Sequence, residues 1–218
     1  MLYARFTPNG FRTMKLGRCA LLWALLLATS CGAGGSPTSD ETPSVYVGSV
    51  EETDAKIALV RDGARWAAYL CGGAETLGST AWFKGERGTG KRADVIAAAG
   101  DHDLDATITT EDASGSVTVN GKVARFEAAR VTQTGAVGLF YDDSNGCRSG
   151  LIVPEAGEPQ GAYCVDVKVE GRLAERSFEQ VNPLMPLTLR DGFLVASAVN
   201  SADVVLRLKP VLLPLNSL

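Results

Sequence analysis

Apolar and polar residues alternate with a period of two over much of this chain. Between positions 104 and 109, Leu104, Ala106 and Ile108 alternate with Asp105, Thr107 and Thr109, which is the signature of a strand with one face in a core and the other in water. The same pattern predicts strands at 45–50, 81–84, 93–98, 137–141, 151–153, 163–169 and 204–208. Three two-residue turn signals, Asp62-Gly63, Asn120-Gly121 and Asp191-Gly192, each sit between apolar segments that pair across them. The first sets Leu59 opposite Trp66 and Ile57 opposite Ala68. The second sets Val117 opposite Ala124 and Gly115 opposite Phe126. The third sets Leu189 opposite Leu194 and Leu187 opposite Ala196. Only 75–80 and 173–178 read as short helices. So many strands with so few residues left for crossovers predict an all-β fold, an antiparallel meander forming a barrel or sandwich, and exclude the parallel α/β classes.

The start of the chain follows a different rule. Arg12, Lys15 and Arg18 precede a Leu-rich apolar run over 20–28, and Ala28, Thr29 and Ser30 lead into Cys31. The run is shorter than the ~20 apolar residues that span a bilayer. This segment resembles a bacterial lipoprotein signal peptide, in which two small residues before a cysteine direct diacylation of its thiol and cleavage in front of it. The resemblance implies lipid attachment at Cys31, with palmitate among the acyl groups, and a lipid-anchored place in the cell envelope. Ala28-x-Ser30 also fits the small-x-small rule of an ordinary secretory signal, which would release the chain instead. Residues 32–39, rich in Gly, Ser and Pro, suit a flexible tether. The expected organisation is a signal peptide at 1–30, a tether at 31–43 and one antiparallel β domain at 44–218. Met14 is an alternative start to Met1.

Removing residues 1–30 leaves 17 basic against 25 acidic residues, a formal charge of −8. That balance argues against a nucleic-acid partner. Three cysteines fall in the expected domain, Cys71, Cys147 and Cys164. Export would favour one disulfide and leave one thiol. Cys147 and Cys164 flank a Gly/Pro-containing loop and are the expected pair, with a bond from Cys71 to either as the alternative. Cys71 follows an apolar run, which suits a buried thiol.

Residues 45–153, with Tyr46-x-Gly48, Ala68-Tyr69-x-Cys71-Gly72 and Trp82-Phe83-x-Gly85, look like exported β-rich domains of uncharacterised bacterial proteins. That resemblance implies architecture and no activity.

Candidate chemistry is sparse. Gly85 to Lys91 fits a phosphate-binding P-loop until Arg92 replaces the Ser/Thr that would hold Mg²⁺. A Gly-rich turn between two strands accounts for the same residues. Asp101, Asp103 and Asp105, around the single histidine His102, have the alternating oxygen ligands of a Ca²⁺ loop, but Ala106 stands where such a loop needs Gly. They suit a solvated hairpin tip better. Asp142-Asp143 and Glu51-Glu52 would serve glycoside hydrolysis only by converging across a cleft. Trp66, Tyr69, Trp82, Phe83, Phe126, Phe140 and Tyr141 either fill a barrel or line a cavity for an apolar ligand. No pattern asks for a cofactor. The reading is a non-enzymatic envelope lipoprotein that binds an apolar ligand or an envelope protein. A hydrolase whose carboxylates converge in three dimensions is the rival, and a structural envelope protein is the third reading.

Overall fold

The computed structural model describes residues 43–86, 90–132, 135–144, 146–169, 172–183, 187–200 and 203–211, and the backbone alone at 166–169 and 172–176. The expected signal peptide, Cys31 and nearly all of the tether lie outside these residues. The described residues fall within one compact unit, Ser39–Leu218.

Two antiparallel sheets make up the fold. The first takes β1 (Ser44–Val50), β2 (Lys56–Asp62), β3 (Arg65–Cys71), β4 (Ala81–Glu86), β5 (Ala93–Ala99), β6 (His102–Ile108), β7 (Asp112–Val119) and β8 (Lys122–Val131). Their spatial order is β4-β3-β2-β1-β8-β7-β6-β5. The sheet curls until its edge strands β4 and β5 are neighbours. The second sheet is a closed six-stranded barrel of β9 (Gly138–Asp142), β10 (Ser149–Val153), β11 (Gln160–Val169), β12 (Arg172–Pro183), β13 (Leu194–Ala198) and β14 (Val205–Pro210).

Three apolar cores hold these sheets. Inside the first sheet lie Tyr46, Ile57, Leu59, Trp66, Phe83, Val95, Leu104, Ile108, Val117 and Phe126. Inside the six-stranded barrel lie Phe140, Leu151, Val181, Leu194, Leu206 and Leu208. The third core is the layer between the two sheets, where Val47, Ala58, Val60, Tyr69 and Cys71 meet Leu139, Tyr141, Ile152, Ala162 and Val211.

This layering explains a contrast in the sequence. Strands β2 and β3 are buried on both faces and read as nearly unbroken apolar runs, Ile57-Ala58-Leu59-Val60 and Trp66 to Cys71. Strands β5 to β7 face water on one side and alternate, with Asp94, Asp103, Asp105 and Ser114 exposed. The seven aromatic residues singled out in the sequence are divided among all three cores, so they do not gather around one cavity.

The Asn120-Gly121 hairpin has the expected register, Val117 opposite Ala124 and Gly115 opposite Phe126. Both turn residues have positive φ, 49° and 74°, as the tight hairpin turn requires. The first hairpin differs. Asp62 pairs with Arg65 and Leu59 with Ala68, so the loop is Gly63-Ala64. Gly63 alone takes positive φ there, the turn with Gly in first place, and Asp62 gains an ion pair with Arg65 at 3.4 Å. The register moves by two residues, so every side chain keeps its predicted face.

At Asp191-Gly192 the turn forms, but its ribbon stops at one bridge, Arg190 with Phe193. Strand β13 pairs instead with β12 and β14. The helix expected at 173–178 is strand: this stretch pairs with β11 from Ala162↔Gln180 to Val169↔Arg172, and that long-range ladder overrides a local preference for helix. The 75–80 segment supplies one 3-10 turn, Leu77–Ser79.

Side-chain hydrogen bonds brace the junction between the sheets. The Gln160 amide, at the start of β11, donates to the carbonyls of Asp54 (3.0 Å) and Cys71 (2.8 Å) in the first sheet. Cys147 and Cys164 form a disulfide with Cα atoms 5.6 Å apart, a normal separation. It ties the β9–β10 loop to β11. Cys71 is a buried free thiol.

Candidate functional site

The second barrel is closed, but its ladder is short at one seam, and the end of that ladder creates a site. Strands β14 and β9 share only two paired positions, Lys209 with Tyr141 and Pro210 with Phe140. On one side the Val211 amide still donates to the Leu139 carbonyl at 2.9 Å; toward Arg207 and Asp142 the ladder stops. The amide of Arg207 then lacks a ladder partner and donates to Asp142 Oδ2 at 3.3 Å, while Asp142 Oδ1 accepts from the amide of Ser144 at 2.9 Å. A buried carboxylate thus takes over the role of the missing strand, as buried main-chain donors demand. The gap is an open cleft of about 330 Å³ lined by Asp142, Asp143, Ser144, Phe193, Val205, Arg207 and Lys209.

The period of two sets which side chains line it. Val205, Arg207 and Lys209 share one face of β14. The Lys209 ammonium lies 4.5 Å from the centre of the Tyr141 ring, its partner across the seam, and 3.3 Å from Asp143 Oδ1. The Arg207 guanidinium lies 4.5 Å from the centre of the Phe193 ring. Arg148, adjoining the disulfide, stands 5.6 Å from the centres of both the Trp82 and the Tyr141 rings and 4.0 Å from Asp143. Cation–π contacts of this kind are worth about 0.5–1 kcal/mol each at exposed sites. Their main effect is to hold long cationic side chains in place.

Electrostatics follow the same geometry. Hydrogen bonding to Tyr141, then the field of Asp143, holds the Lys209 ammonium above the usual lysine range against the opposing effect of partial burial. Asp143 is shared between Lys209 and Arg148. The Arg207 guanidinium is exposed, and among the described residues it has no carboxylate partner. The Trp82 indole N–H, behind Arg148, is buried without a hydrogen-bond acceptor among the described residues. Tyr69 stacks on the Trp82 ring at 4.4 Å and Tyr141 meets it edge-on at 6.4 Å.

A second cleft, of about 460 Å³, opens at one end of the first sheet between the β1–β2 turn and the Asn120 turn. Glu51, Glu52, Glu75, Lys122 and Arg125 line it. Its wall is braced by Asp54, whose carboxylate accepts from the Glu75 amide at 2.7 Å and from the Thr76 hydroxyl. Burial raises the Asp54 pKa, but these bonds outweigh it and leave the pKa lowered. Asn120 joins the same wall, its amide donating to Ser79 Oγ at 2.8 Å. Asp54, Thr76, Ser79 and Asn120 are therefore already engaged within the wall.

The residues singled out in the sequence are scattered. Asp101 sits in the turn before β6, while Asp103 and Asp105 project from its exposed face. His102 Nδ1 lies 3.2 Å from the Thr118 carbonyl. Among the described residues no three His, Cys, Asp or Glu side chains come close enough to hold a metal ion. The carboxylates Asp101 to Asp105 belong to the first sheet and Asp142-Asp143 to the second, so they share no rim. Glu51-Glu52 lies in the first cleft. The P-loop-like string lies between β4 and β5, with residues 87–89 outside the described set, and a strand follows it where a nucleotide loop needs a helix.

Sequence reasoning found Asp142-Asp143 but missed Arg148, Phe193, Arg207 and Lys209. Two basic residues at alternate positions of β14 were the available signal. Their neighbours in β9 lie over sixty residues away. Comparison with protein-family models, with curated proteins and with solved structures gives no match to this chain.

Proposed function

We propose that this chain is a non-enzymatic lipoprotein of the cell envelope, anchored to a membrane through a diacylated Cys31 and presenting its β unit as a binding module. The observation that carries the binding role is the seam between β9 and β14. There Arg207, Lys209 and Asp143 are held by rings and ion pairs around an open cleft of about 330 Å³, the lower end of the range for small-molecule sites. The anchor and the envelope location are supported by the basic, apolar and small-residue segments that end at Cys31. A formal charge of −8 after residue 30 speaks against nucleic acid as the partner.

Two experiments test this reading. In a bacterial host, Cys31→Ala should abolish labelling by a palmitate analogue, and unchanged labelling would remove the anchor. For binding, the full chain in mild detergent is equilibrated with the low-molecular-mass fraction of a bacterial extract and retained species are read by native mass spectrometry. A species retained by the parent chain and lost in Arg207→Gln/Lys209→Gln is expected. Equal retention by both, or none, would end the claim that the seam is a binding site.

A further inference from the structure

We propose that the seam cleft takes a small ligand through a carboxylate or phosphate group, held by the Arg207 guanidinium with Lys209 beside it. This rests on the seam's being the binding site. The argument begins with charge. The cleft is lined by two cations, Arg207 and Lys209, and two carboxylates, Asp142 and Asp143, but the pairing among them is uneven.

The cation left without a carboxylate has a definite position. Asp142 is occupied by the amides of Ser144 and Arg207, and Asp143 serves Lys209 and Arg148. Arg207 is the cation with no carboxylate among the described residues, although it is held in place by Phe193.

A guanidinium lying over a ring keeps its N–H donors for a partner in its own plane. A two-oxygen anion matches that fork, making two parallel bonds. Lys209, two positions along the same strand face, adds a point charge.

The cleft also says what accompanies the anion. Phe193 and Val205, the latter 62% exposed, form an apolar wall beside Arg207. The ligand is therefore a short apolar or aliphatic group ending in an acid. The net negative charge of the protein opposes such a ligand only weakly. Fields from exposed groups are screened beyond about 8 Å at physiological salt, whereas Arg207 and Lys209 act at contact distance. The acid could belong to a free solute or to a lipid headgroup, since both present the same oxygens.

Calorimetric titration of the full chain in mild detergent tests this with three probes: inorganic phosphate, hexanoate, and the soluble lipid dihexanoyl-phosphatidylglycerol. Saturable binding with a dissociation constant near ~1 mM is expected for at least one probe. Arg207→Gln should weaken it by about tenfold and Arg207→Lys by less, because lysine keeps the charge and loses the fork. Arg92→Gln, a cation on the first sheet paired with Asp94, should leave it unchanged. Tighter binding of the lipid than of phosphate and hexanoate assigns the acid to a membrane; the reverse assigns it to a solute. No saturation with any probe up to about 20 mM, or equal affinity in Arg207→Gln, overturns the proposal. A neutral ligand retained from the extract by the parent chain alone would overturn the anion and leave the binding site standing.

Discussion

The ring of Tyr69 on β3 fills the space left by the missing side chain of Gly150 on β10. A Cβ at position 150 would lie 2.5 Å from two carbons of that ring, and the Tyr69 hydroxyl reaches the Gly150 carbonyl at 3.4 Å. The two sheets can approach this closely because one residue is all ring and the other has no side chain. Gly150→Ala should therefore push them apart and destabilise the fold by roughly 1–3 kcal/mol, the usual cost of overpacking. Urea unfolding measures it. A midpoint equal to that of the parent would mean that the contact is not tightly packed.

Gly121 has a φ of 74° in the β7–β8 turn with nothing near its missing side chain, so backbone conformation alone decides what position 121 tolerates. Gly121→Val should cost about 1–3 kcal/mol, because a β-branched residue resists that region. Far-UV circular dichroism should still show mostly strand for the folded variant. A helix-dominated spectrum for the parent chain would contradict the fold itself.

The three cysteines of the domain should behave unequally toward a thiol reagent. Cys147 and Cys164 are bonded and Cys71 has no exposed surface. Within residues 44–218, folded protein should take up no label, and denatured, unreduced protein should take up one equivalent, at Cys71. Peptide mapping without reduction decides the linkage. A disulfide containing Cys71 would overturn the assignment.

The same thiol should make the fold sensitive to alkali. Burial pushes the Cys71 pKa from 9.0 up to about 12. Between those values the unfolded chain has released a proton that the native chain still holds, so stability falls as pH rises, by roughly 4 kcal/mol across the window. Tyr69, fully buried beside it and also raised, adds to the loss in the same direction. Cys71→Ala should flatten the fall in urea midpoint from pH 9 upward, even though its smaller side chain lowers stability at pH 7. Parallel curves for the two proteins would show that Cys71 does not titrate as argued.

How much of this was legible in advance depended on range. The period of two located the strands, because strand formation on a half-buried sheet is written locally. The unbroken apolar runs of β2 and β3 follow from burial on both faces, which the pairing across one turn did not reveal: Tyr69 and Gly150 are far apart in sequence, and nothing near either names the other. The error at Gly63-Ala64 arose because Asp-Gly and Gly-Ala are both acceptable turn centres and the ion pair of Asp62 with Arg65 favours the second. The false helix at 173–178 had the composition of a helix but a partner strand beside it. The seam cleft was least legible of all, since it exists only where β9 and β14 part company.

Strand β1 lies between β2 and β8, with six paired positions on each side, all antiparallel, and Ser44 is the end of it that leads back in sequence to Cys31. Tension arriving from a membrane through those preceding residues would run along β1 itself. It would load both ladders in shear, where many hydrogen bonds must yield together, instead of peeling them open one by one. A domain tethered by this end is thus gripped at the middle of its larger sheet, and pulling on the tether should be a poor way to unravel it.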